Sequence, residues 1–123
     1  MTKLFFLALA GGLGTLARVA LVSAANGRLG DALPWGTLVV NVLGSFLFGA
    51  IWAAAEQGLL SPNVRFYALA GFMGAFTTFS SLMHDASTLA ANGRLALGAL
   101  DLALHNLLGI ASFALGLALG RAL

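Results

Sequence analysis

Hydrophobic positions run almost unbroken along this chain, in four stretches separated by short, breaker-rich links. The stretches read as 4–25, 35–56, 64–90 and 95–119, each reaching the ~20 residues that a membrane-crossing helix needs. The links Asn26–Pro34, Gly58–Asn63 and Ala91–Arg94 carry Gly27, Gly30 and Pro34, then Pro62, then Asn92-Gly93. Such punctuation suits hairpin-like connections between antiparallel neighbours. Pro34 stands just ahead of the second stretch, where its missing N–H costs little. The pattern predicts an all-α membrane protein, a single domain over 1–123 built of four transmembrane helices. The tight link between stretches two and three predicts that those two pack side by side.

Composition sharpens this picture. The chain is 60% hydrophobic and 8% charged, against about 25% charged in ordinary soluble domains, so lipid covers most of the surface. Four spans consume nearly the whole chain and leave no room for a soluble domain. The absence of cysteine excludes disulfides and thiolate metal sites. The six Lys and Arg residues are too dispersed to make a nucleic-acid footprint. Lys3 ahead of Leu4–Ala10, with Val22-Ser23-Ala24 further on, has the outline of a secretory leader. Apolar sequence continues past Arg18, however, and the remainder would still be membrane-embedded.

The third stretch departs from plain hydrophobicity. Residues 71–81, Gly-Phe-Met-Gly-Ala-Phe-Thr-Thr-Phe-Ser-Ser, combine two glycines, two threonines, two serines and three phenylalanines. Glycine and threonine are poor helix residues, so a break in the third helix is expected here. Irregular backbone at membrane depth survives only when buried in protein or lining a wet cavity, which points to an ion-handling site. Freed carbonyls there suit a small cation, and the hydroxyls suit an anion. Phe72, Phe76 and Phe79 are expected to cluster at the break, offering electropositive ring edges.

The other polar positions fit around it. Thr37, Asn41 and Ser45 are four apart and stack on one helical face, either as interhelical glue or as the lining of a polar conduit; the length of the stripe favours the conduit. Arg18 follows fourteen uncharged residues, which is costly in lipid. It reads as a snorkelling cation or as a pore-mouth charge that concentrates anions. Gly11-Gly12-Leu13-Gly14 reads as a smooth face for close helix contact. Asp101 and His105, also four apart, read as a polar pair near the start of stretch four, with a proton-relay role as the sharper alternative. An enzyme reading would use Ser80 or Ser81 with His84 and Asp85, but adjacent side chains diverge and leave the base without its orienter.

Lys3, Arg65 and Arg121 fall on one membrane face, and Arg28 and Arg94 on the other. So small a bias gives no preferred orientation. The chain is therefore expected to insert both ways and to form an antiparallel, dual-topology homodimer, since four short helices cannot enclose a pore alone.

Three ordered motifs now become recognisable. Gly11-Gly12-x-Gly14-x-x-x-Arg18, Gly36-Thr37-Leu38-x-x-Asn41-x-x-Gly44-x-x-x-x-Gly49 and Gly71-Phe72-x-Gly74-x-x-Thr77-Thr78-Phe79-Ser80 resemble the successive signatures of the Fluc (CrcB) fluoride channels. The resemblance implies a fluoride-selective channel in the cell membrane, passing the ion passively through two pores of an inverted homodimer surrounded by lipid. It implies a central sodium ion, not transported, held by the carbonyls of Gly74 and Thr77 from both subunits. It places Asn41, Thr37, Thr78 and Ser80 in the pore region, Arg18 in the vestibule and Phe79 in a phenylalanine pair facing fluoride.

This chain departs from the family pattern at several positions. The family usually continues Thr-Thr-Phe-Ser-Thr-Phe-Ser, whereas this chain reads Thr77-Thr78-Phe79-Ser80-Ser81-Leu82-Met83, so Leu82 replaces the second ring. Asp85 stands for a common glutamate, and Asn106 and Ile110 stand for common serines. A poorly conducting or accessory subunit of a heterodimer is the alternative these departures raise. A small dual-topology multidrug exporter is the architectural rival. It needs an acid in the first helix, where this chain has Arg18 and no carboxylate.

Overall fold

The computed structural model describes all residues from Met1 to Leu123 and is entirely helical. Helix α1 covers Thr2–Leu29 and α2 covers Trp35–Glu56. The third span starts as α3, Pro62–Phe66, widens into a π-helical segment at Tyr67–Met73 and closes as the short α4, Gly74–Phe76. It resumes as α5, Phe79–Ala91, and α6 then runs over Leu95–Arg121. Four helical spans are long and apolar enough to cross a membrane, the third taken as Pro62–Ala91.

Helix α1 extends beyond the predicted end at residue 25, through Asn26-Gly27-Arg28. The Asn26 side-chain carbonyl accepts the Gly36 N–H at 2.8 Å, and Arg28 lies in the last turn, where a cation complements the helix carbonyls. Both effects favour the extra turn. At the other links the chain turns at Gly58 and Gly93, with φ of 75° and 72°. Ser61 caps α3 by accepting the Val64 N–H, ahead of Pro62 in the first turn.

Spans two and three pack against each other as expected, but this is not the main contact of the second span. The most extensive contact of α2 is with α6, while α1 packs on the π segment and α4, and α5 packs on α6. Glycine explains the choice. A Cβ on Gly49 would strike the Phe113 carbonyl, and one on Gly116 would strike the Phe46 carbonyl, so α2 and α6 meet backbone to backbone. Gly14 likewise seats on the Phe72 carbonyl, which gives the smooth face of α1 its packing role. Val40, Leu69, Met73 and Phe76 form the buried core between these pairs.

The ends of the bundle are held by polar contacts. Arg121 reaches Glu56 at 3.4 Å, and the Arg65 guanidinium lies 4.2 Å from the Trp52 ring centroid. At the opposite end Arg94 donates to the Ala32 carbonyl at 2.9 Å. The second link and the C-terminus thus share one face, and the first and third links share the other.

Candidate functional site

Between Phe76 and Phe79 the backbone leaves the helical region. Thr77 sits at φ −81°, ψ 157° and Thr78 at φ −149°, ψ 109°. Two sets of main-chain groups lose their helical partners there. Asn41, from α2, meets part of the demand: its Oδ1 accepts the Thr78 N–H at 2.8 Å, and its Nδ2 donates to the Thr78 carbonyl at 3.0 Å. The two bonds are reciprocal, so the backbone itself fixes which way the amide points.

Thr78 also caps α5. Its Oγ1 accepts the Ser81 N–H at 3.2 Å and donates to Ser81 Oγ at 2.9 Å, with Ser80 Oγ 3.4 Å away. On the preceding side, the Met73 carbonyl accepts from both the N–H and the hydroxyl of Thr77. The carbonyls of Gly74 and Thr77 accept no hydrogen bond within the subunit, and Gly74 is exposed on the subunit surface.

The polar stripe of α2 is fully engaged. Thr37 Oγ1 donates to Asp85 Oδ2 at 2.6 Å, and Ser45 Oγ donates to the Asn41 carbonyl at 2.7 Å. Asn41 therefore does bind a neighbouring span, and it also borders a cavity of about 370 Å³ with Thr77, Thr78, Phe79, Leu82 and His105. A second, more polar cavity lies beside it, bordered by Asn26, Thr37, Ser80, Ser81, His84 and Asp85. A third shares Asn26, His84 and Asp85 with the second and reaches Asp31 in the first link. A fourth shares Ser45, His105 and Asn106 with the first. The second and third cavities thus adjoin through Asn26, His84 and Asp85, and the first and fourth through Ser45, His105 and Asn106.

The three phenylalanines do not gather as expected. Phe72 and Phe76 stack at 5.7 Å between centroids, with Phe76 in the core, whereas Phe79 is 72% exposed. The extended residues between them turn the chain, so Phe79 faces away from the other two. Leu82 is buried and borders the first cavity. Arg18 is half-buried, makes no hydrogen bond or ion pair within the subunit, and has an enclosed Nε; it borders none of these four cavities. His84 and Asp85 were expected to diverge, yet His84 Nδ1 lies 3.4 Å from Asp85 Oδ1. Neither Ser80 nor Ser81 bonds to that imidazole.

Asn26 falls in a link by sequence, although an amide near a helix end is a usual signal for capping a neighbour, and Phe48, Leu102 and Phe113 border the first cavity with nothing in the sequence to mark them. Met83 borders the first cavity, and nothing in its sequence setting marks it.

Residues 5–117 match the family model described as CrcB-like protein, Camphor Resistance (CrcB). The chain is 48% identical over 122 residues to the fluoride-specific ion channel FluC of Solidesulfovibrio magneticus, covering 98% of each chain. It is 47% identical over 120 residues to the protein of the same name from Nitrosococcus oceani, covering 97% of this chain and 96% of the relative. It is 42% identical over 120 residues to that of Desulforapulum autotrophicum, with the same coverage. Taken with the ordered motifs and the four spans, this similarity makes the chain a multi-pass membrane protein that belongs to the CrcB-like family.

Proposed function

We propose that this chain is a fluoride-selective channel rather than an enzyme, and that it lets the ion leave the cell passively, relieving fluoride toxicity. The observation that carries the reading is similarity over nearly the full length to proteins named fluoride-specific ion channels. Two cavities supply stations for an ion path, a polar one at Asn26, His84 and Asp85 and another at Asn41 and Thr78. Fluoride is small and strongly hydrated, so a path must replace its water with donors. The Ser80 hydroxyl, the second hydrogen of the Asn41 amide and the Phe79 ring edge are groups of the right kind along it, and the Thr37 and Thr78 hydroxyls join them by turning away from Asp85 and Ser81. Arg18 is assigned to the vestibule, where its positive charge would draw anions.

The working unit in this proposal is an inverted homodimer in lipid. A single copy leaves the Gly74 and Thr77 carbonyls without partners, and carbonyl oxygens are suitable ligands for a hard monovalent cation. A sodium ion bound by these carbonyls from both copies would offset the cost of exposing them and bias the interior against other cations. The break at Thr77–Thr78 is, in this view, what makes the oxygens available.

Fluoride efflux from liposomes holding only this chain tests the reading. Release of fluoride with retention of chloride is expected. No release from intact dimers would favour the accessory-subunit reading, which the buried Leu82 at the cavity motivates.

A further inference from the structure

Three charged side chains meet where α2 ends, α3 begins and α6 ends. Glu56 closes α2, Arg121 closes α6 and Arg65 stands in α3. Arg121 Nη2 approaches Glu56 Oε2 at 3.4 Å, and Trp52 Nε1 donates to Glu56 Oε1 at 2.9 Å. The Arg65 guanidinium lies 4.2 Å from the Trp52 ring centroid. Both arginines are near enough for their charges to act on Glu56.

Arg65 makes no hydrogen bond or ion pair within the subunit, so the donors of its guanidinium are free. The Arg121–Glu56 pair is exposed and long, and such a pair contributes little. Two guanidinium groups against one carboxylate leave one positive charge in excess and most of the N–H donors unused. Stacking on Trp52 holds the Arg65 fork in place beforehand, so less ordering is needed when it meets an oxyanion.

The cluster lies at headgroup depth, where Trp and Tyr settle in a bilayer. Beside it the rings of Phe5, Phe6, Tyr67 and Phe66 follow one another at 5.7, 5.8 and 5.8 Å between centroids, and Phe5 and Phe66 are exposed. Arg65, Arg121, Trp52 and Glu56 border none of the four cavities, so this charge does not serve the ion path. The opposite end lacks the combination: Arg94 is engaged with the Ala32 carbonyl, and Asp31 borders a cavity there.

We propose that Arg65 and Arg121, with the Trp52 ring against them, form a binding site for the phosphodiester of an anionic lipid, whose acyl chains lie along the exposed phenylalanines of α1 and α3. Basic pockets between membrane helices recognise anionic headgroups, and the arginine fork matches two phosphate oxygens at once. One phosphodiester balances the excess charge, whereas a zwitterionic lipid brings its own cation. The bound phosphate ties the third span to the α2–α6 pair, whichever ion the cavities pass.

Thermal unfolding of the detergent-solubilised protein, titrated with dioleoylphosphatidylglycerol, tests the proposal. The midpoint temperature should rise by roughly 3 °C at saturation, with little rise for dioleoylphosphatidylcholine or for inorganic phosphate at the same concentration. Arg65→Gln and Arg121→Gln should each raise the lipid concentration for half the effect about tenfold. Arg65→Lys, which keeps the charge and loses the fork, should fall between, and Arg94→Gln should change nothing. Glu56→Gln separates lipid recognition from a merely structural network. It keeps an acceptor for Trp52 and removes the competing carboxylate, so the anionic lipid should bind more tightly. Equal rises with the two lipids, an unchanged half-effect concentration in both arginine variants, or weaker lipid binding in Glu56→Gln would each overturn the site. A rise with inorganic phosphate equal to that with the anionic lipid would overturn the lipid as its occupant.

Discussion

At the scale of single residues, Asn41 combines two duties that sequence alone holds apart. Its amide closes the hydrogen bonds of the extended Thr78 and borders the cavity at the same time. Asn41→Ala should abolish fluoride efflux from liposomes. It should also cost about 1–3 kcal/mol for each backbone group left unsatisfied, read as a lower unfolding temperature of the solubilised protein. Leu82 offers the contrasting case. Leu82→Phe should leave efflux unchanged or speed it, since the flexible Met83 beside it can yield; abolished efflux would show that position 82 does not stand for the second ring. The types and order of the candidate residues were legible from glycine, threonine and asparagine spacing. The orientation of Phe79 was not. Helical periodicity predicts a cluster with Phe72 and Phe76, and two extended residues are enough to cancel that periodicity.

At the scale of elements, small residues decide which helices meet. The apolar runs gave the four spans, because length and hydropathy answer to the bilayer alone. Pairing was less legible: loop length placed spans two and three together, as they are, but it did not reveal the closer contact of α2 with α6 through Gly49 and Gly116. Close approach of two backbones depends on where glycines face each other, and a one-dimensional pattern does not show facing. Gly116→Ala should therefore destabilise the fold by about 1–3 kcal/mol through overpacking, checked by thermal unfolding in detergent. Thr78→Ala removes the cap of α5 and should cost about 1 kcal/mol in the same measurement.

At the scale of the whole molecule, the nearly even spread of basic residues becomes a statement about assembly. Arg65 and Arg121 sit at one end of the bundle and Arg94 at the other, so neither end is strongly retained on the cytoplasmic side. A reporter fused to the C-terminus should register on both sides of the membrane in comparable amounts, and a one-sided result would defeat the inverted dimer. The π-helical stretch Tyr67–Met73 carries a different consequence. Such a stretch is an α-helix that has absorbed one surplus residue. Losing a residue there lets the turn tighten while Thr78 keeps its phase against Asn41; the same loss within α2 swings every later side chain by about 100°. The third span has a built-in slack of one residue, and it lies immediately upstream of the position where phase matters most.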